Sequence, residues 1–104
     1  MLINLDTQIL NLDGTALHAN KKPLTVGTCC VEVLVNPLVG HDGKTEILSG
    51  ETKVKYAELA RRLYGGGEAE LSVDEASDLK KRIDRGYPHP LIVDQVWSAL
   101  DPKA

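Results

Sequence analysis

Hydrophobic and polar positions change rhythm along this chain, and the rhythm predicts its elements. Over 8–18, "QILNLDGTALH", Leu10 and Leu12 alternate with Asn11 and Asp13, and Asp13-Gly14 follows. Alternation of period two around Asp-Gly predicts a short β-hairpin with a two-residue turn. Alone such a hairpin is marginal, so it is expected to lie against something else. In "LTVGTCCVEVLVNPL" the β-branched residues favour a strand, whereas Val26, Cys29, Cys30 and Val33 recur at helical spacing. With Thr25 placed to cap the first turn and Pro37 to stop the last, a helix over 26–35 is the better reading.

Residues 36–48 hold Pro37, two glycines and a His41-Asp42-Gly43 turn, and predict a loop with at most a short extended piece. Ser49 then opens "SGETKVKYAELARRLYGGG", a helix of about four turns with Val54, Ala57, Ala60 (or Arg61) and Leu63–Tyr64 on one side. Glycines 65–67 end it, and "EAEL" is a short extended segment able to join the N-terminal hairpin. In "LSVDEASDLKKRIDRG", Ser72 and Glu75 form a capping box. Acids at the start (Asp74, Glu75) and bases at the end (Lys80, Lys81, Arg82, Arg85) suit the helix dipole, and Ala76, Leu79 and Ile83 make the buried stripe. Tyr87-Pro88-His89-Pro90 reads as a rigid corner: Pro88 forces extension, His89 can cap, and Pro90 suits a first helical turn. Tyr87 is expected to pack on that corner with its hydroxyl in water. Leu91, Val93, Val96, Trp97 and Leu100 give a last apolar helix, closed by Asp101-Pro102.

The expected fold is therefore α+β and mainly helical. Three or four helices pack around Val54, Leu63, Leu79, Ile83, Val93, Val96 and Trp97, with the hairpin of about 8–18 laid on a helical body of about 25–101. At 104 residues, 42% apolar and 26% charged, one domain with one core is expected over 1–104. Net charge is -3; residues 1–48 carry five acids and three bases, and 49–104 ten and nine. Neither half is a basic module, which disfavours wholesale phosphate binding. No apolar run reaches the roughly 20 residues of a membrane span, and "MLINLDTQIL" has no signal-peptide pattern, so a cytoplasmic protein is expected.

Candidate chemistry is thin. His18, His41 and His89 fall in separate loops, and no CxxC or HExxH spacing supports a metal. Adjacent Cys29 and Cys30 read as buried hydrophobes in a reducing setting. A nucleophile at Cys29 or Cys30 with His89 as base would need a spatial meeting that spacing cannot supply. "YGGGEAEL" has the wrong order for a phosphate loop, following a helix and carrying two acids. The helices "VKYAELARRLY" and "VDEASDLKKRI" are too widely separated for a helix-turn-helix, and acids dilute their bases. No catalytic residue, cofactor or metal is predicted. Two surfaces are: Leu91, Ile92, Val96 and Trp97 toward a protein partner or a second copy, and alternatively Arg61, Arg62, Lys80, Lys81 and Arg85 toward nucleic acid.

The order of the pieces adds context. "PLTVG", "LSGETKVKYAELARRLY", "AELSVDEASDLKKRI" and "YPHPLIVDQVWSALD" together resemble small proteins encoded by tailed bacteriophages and prophages. In those, the closing segment reads "YPPLVVGQAW", without the His89 found here between the prolines. The resemblance covers most of the chain and implies a phage or prophage product in the bacterial cytoplasm, binding a host or phage protein. It brings no catalytic residues, because the family has no established activity.

Overall fold

The central element is helix α1, Val26–Val35, and its composition explains why. Of its ten residues only Thr28 and Glu32 are polar, so almost any side it presents is fit for burial. Thr25 caps it as expected, its hydroxyl accepting from the Thr28 amide. Helices α2 (Gly50–Tyr64), α3 (Val73–Gly86) and α4 (Pro90–Leu100) all pack against α1. The computed structural model describes residues 1–19, 21–40 and 42–101. His41 and Pro102, which figured in the loop turn and the closing of the last helix, lie outside them.

The predicted caps form. Ser49 Oγ accepts from the Thr52 amide at the head of α2. Ser72 and Glu75 exchange both capping-box bonds at the head of α3, at 2.9 and 3.1 Å. The fold is α+β and mainly helical; the described residues form four helices and two small two-stranded antiparallel sheets. Among the described residues no helix is long and apolar enough to cross a membrane.

The N-terminal region departs from expectation in phase and in partner. The chain does fold back over 9–17, with the Leu17 amide donating to the Ile9 carbonyl. Its turn, however, spans Asn11–Gly14, and Asn11 closes a five-residue loop on Thr15. Asp13 holds that loop by accepting from both the amide and the hydroxyl of Thr15, and Gly14 takes the left-handed φ of +87° that favours glycine. Ile9, not Leu10 or Leu12, is the buried residue, and Leu12 is 90% exposed. A one-residue change of phase moves every side chain to the other face.

"EAE" does pair with the N-terminus, but ahead of the hairpin: β1 (Leu2–Asn4) runs antiparallel to β4 (Glu68–Glu70), with Ile3 opposite Ala69. The second pair is β2 (His18–Ala19) with β3 (Lys22–Pro23).

The core is one contiguous cluster from β1, α1, α2, α3 and α4. Leu63, Leu79, Ile83 and Val96 belong to it, and Val93 packs partly buried against it. Val54 does not: it is 59% exposed, because α2 buries Tyr56, Leu59, Ala60 and Leu63 instead. Trp97 is also partly exposed, at 38%. Gly86, the last residue of α3, is there for proximity: a Cβ on it would come within 2.7 Å of Val33 Cγ1.

Candidate functional site

Consider first what the structure does with the predicted residues. Ile92 and Val96 are core residues, and Leu91 is half-buried. Trp97 is engaged twice by one residue of α3: its indole Nε1 donates to the Lys80 carbonyl at 3.0 Å, and Lys80 Nζ sits 5.6 Å from the ring centroid. Lys80 is itself paired with Asp101. The visible part of α4 thus serves to fasten α4 to α3.

The five basic candidates do not converge. Arg62 is paired with Glu75 at 2.7 Å and Lys80 with Asp101. Glu75 lies in the first turn of α3 and Arg85 in its last, about 15 Å further along the helix axis. Arg61 lines a groove beside α1, and Lys81 is exposed.

The cysteines are buried in α1. Burial pushes the Cys29 thiol up to about 11 and the Cys30 thiol to about 12, so neither is a thiolate near neutral pH. Tyr87 is half-buried at the corner. Its hydroxyl lies against Cys29, and burial raises its pKa above the ordinary phenol value. The corner itself forms as predicted: the Tyr87 amide caps α3 on the Ile83 carbonyl, and Pro90 opens α4. His89 stands at the cap position of α4, but its side chain makes no capping bond.

One strong polar feature was missed by the sequence reading. Arg82, grouped there with the dipole-matching bases, is 4% exposed. Its Nε donates to the Val33 carbonyl at 2.7 Å, and its two terminal nitrogens meet Glu46 at 2.8 and 3.1 Å. Its guanidinium stacks 4.4 Å from the centroid of the Tyr56 ring. One side chain therefore ties α3 to the end of α1, to α2 and to the loop before α2. Glu46 also accepts from the Leu38 amide, and the Arg82 hydrogen bond holds its carboxyl below the ordinary range. The available signal was position: Arg82 follows Leu79 by three residues, on the edge of the buried stripe.

The loop pinned by Arg82 forms one wall of a groove. Antiparallel α1 and α2 meet along a seam with two adjoining hollows of about 500 and 300 Å³, which share Val35 and Ala57. The larger runs under Pro37, Ile47 and Leu48 to Lys53, and the smaller continues past Val31 and Ala60 to Arg61 and Tyr64. Three large side chains stand uncovered along it: Ile47 at 97%, Tyr64 at 81% and Val35 at 55% exposure. Its charged liners are Lys53, Arg61 and Glu46, and Glu46 is committed to Arg82. Among the described residues neither Lys53 nor Arg61 forms an ion pair.

A second groove, between β1 and α4, has Leu2 and Leu10 exposed but is bordered by Asn4, Thr7, Gln8, Gln95 and Ser98. Gln95 closes one end of it by bonding both the amide and the carbonyl of Leu10 at 2.8 Å. Among the described residues no cluster of three or more His, Cys, Asp or Glu is placed to hold a metal. No family model, curated protein or solved structure matches the chain.

Proposed function

We propose that the protein is a non-enzymatic binding factor that docks another protein in the α1–α2 groove, in the phage or prophage setting that the sequence resemblance implies. The observation that carries this is the uncovered apolar seam on α1. A helix with two polar residues in ten is normally enclosed on all sides, yet Val35 is 55% exposed and flanked by exposed Ile47 and Tyr64. An apolar hollow bordered by charge is a surface that a protein partner can cover, and this supports the docking reading.

The reading relocates the docking surface from α4, where Ile92 and Val96 are spent on the core, to the opposite side of α1. It leaves the five basic candidates as surface charges and ion-pair partners. A hydrolase or redox role centred on Cys29 finds no support, since a buried, protonated thiol is a poor nucleophile.

The test is capture of the tagged protein from bacterial lysate, with and without nuclease, beside an Ala57→Arg variant that fills the middle of the groove. The expected result is a protein retained after nuclease by the wild type and lost by the variant. Equal retention by both would remove the groove from the account. Recovery of nucleic acid that disappears when Lys81 and Arg85 are changed to alanine would favour the nucleic-acid role instead.

A further inference from the structure

We infer that the groove's occupant is an amphipathic helix of another protein, about three turns long, with carboxylates flanking its apolar stripe; this rests on the docking reading above.

Length comes first. From Lys53 to Tyr64 the groove follows α2 for 11 residues, about 16 Å at the helical rise. A third helix laid in the seam would span about the same number of residues.

Shape points the same way. The seam between two packed helices accepts the ridge of a third, and small residues on its floor let that ridge come close. Ala57 and Ala60 are such residues, with Val31 and Val35 beside them and Ile47 and Tyr64 standing at the margins. Extended-strand addition is a poorer fit, because it needs an open sheet edge to supply backbone donors and acceptors. Both walls here are helices, and the third is the loop that Glu46 anchors.

Charge then selects the class of helix. The protein as a whole is acidic at -3, but the uncommitted charges along this groove are both cationic. Lys53 and Arg61 are eight residues apart on α2, about 12 Å along its axis. Glu51 and Glu58, though on the same helix, line neither hollow. A helix with carboxylates about two turns apart would meet both cations, while Leu- or Ile-type side chains filled the seam.

A second copy of this chain fits less well. A two-fold contact would set concave against concave and bring Lys53 and Arg61 of one copy toward those of the other.

The experiment uses the full chain and two labelled peptides of about 14 residues, matched in their leucine stripe and flanked by glutamates or by lysines. Binding is read by fluorescence anisotropy. The glutamate-flanked peptide is expected to bind at least ten-fold more tightly, and the double reversal Lys53→Glu/Arg61→Glu to invert the preference. Ala57→Arg should abolish binding of either peptide. Equal or tighter binding of the lysine-flanked peptide, or no detectable binding of the glutamate-flanked one, overturns this inference. If Ala57→Arg abolishes binding but the two peptides bind alike, this inference falls while the docking reading stands. If Ala57→Arg leaves binding intact, the docking reading falls with it. A concentration-dependent dimer, seen by sedimentation and dissolved by Ala57→Arg, would put a second copy in the groove and also overturn the inference. Circular dichroism of each variant checks the fold. The exposed pair Lys53 and Arg61 keeps the test decisive if Ala57→Arg is unstable.

Discussion

Two sides of α1 are treated in opposite ways. On the α3–α4 side, polar side chains reach across the seams to backbone groups. Trp97 bonds the Lys80 carbonyl, Arg82 the Val33 carbonyl, and Gln95 both backbone groups of Leu10. On the α2 side, among the described residues, no such bond crosses the outer part of the seam, and Val35, Ile47 and Tyr64 stay exposed. Apolar side chains left in water there contribute little to the stability of the monomer. The contrast teaches that the first side holds the fold together, while the second leaves apolar side chains free for the contact proposed above.

That division can be attacked where it is strongest. Arg82→Met should cost about 3 kcal/mol or more, because it strands Glu46 beside an apolar wall and frees the α1 carbonyl. Denaturant midpoints would show it; a loss below 1 kcal/mol would mean that Arg82 does not organise the fold.

The same clamp sets a pH dependence. Glu46 has a folded pKa below its ordinary 4.5, so its contribution is complete above that value and is lost as pH falls through the lower folded one. Glu46→Gln should therefore differ most from wild type near neutral pH and converge with it in acid. A gap that stays constant across an acid titration of stability would contradict the assignment.

Smaller effects sharpen the contrast further. Trp97→Phe and Gln95→Ala each remove hydrogen bonds between elements and should cost about 1 kcal/mol. Ile47→Ser and Tyr64→Ser should move stability by no more than about 0.5 kcal/mol, since both side chains are largely in water, while weakening partner retention.

How much of this was legible in the sequence depends on the range of the interaction. The helices and their caps were readable because Thr25, Ser49, Ser72 and Glu75 act on backbone three residues away. The whole span of α1 followed from Thr25 and Pro37. The phase of the first hairpin was not readable: Ile9 and Leu10 are adjacent and both apolar, and only packing on the body chooses which of them is buried. The same holds for Val54 against Tyr56 on α2, where the aromatic ring is drawn inward by Arg82. Arg82 itself looked like a surface base, because its partner Glu46 lies 36 residues earlier in a loop. The groove belongs to no single element, yet part of its signal was present: α1 is more apolar than one covered face requires.

The most direct measurement sets two variants side by side, scoring melting temperature and lysate capture for Ala57→Arg and Trp97→Phe. Ala57→Arg should lose the captured protein and melt close to wild type. Trp97→Phe should melt lower and keep the partner. If Trp97→Phe loses the partner at unchanged stability while Ala57→Arg retains it, the docking surface is on α4 and the account of the two sides is inverted.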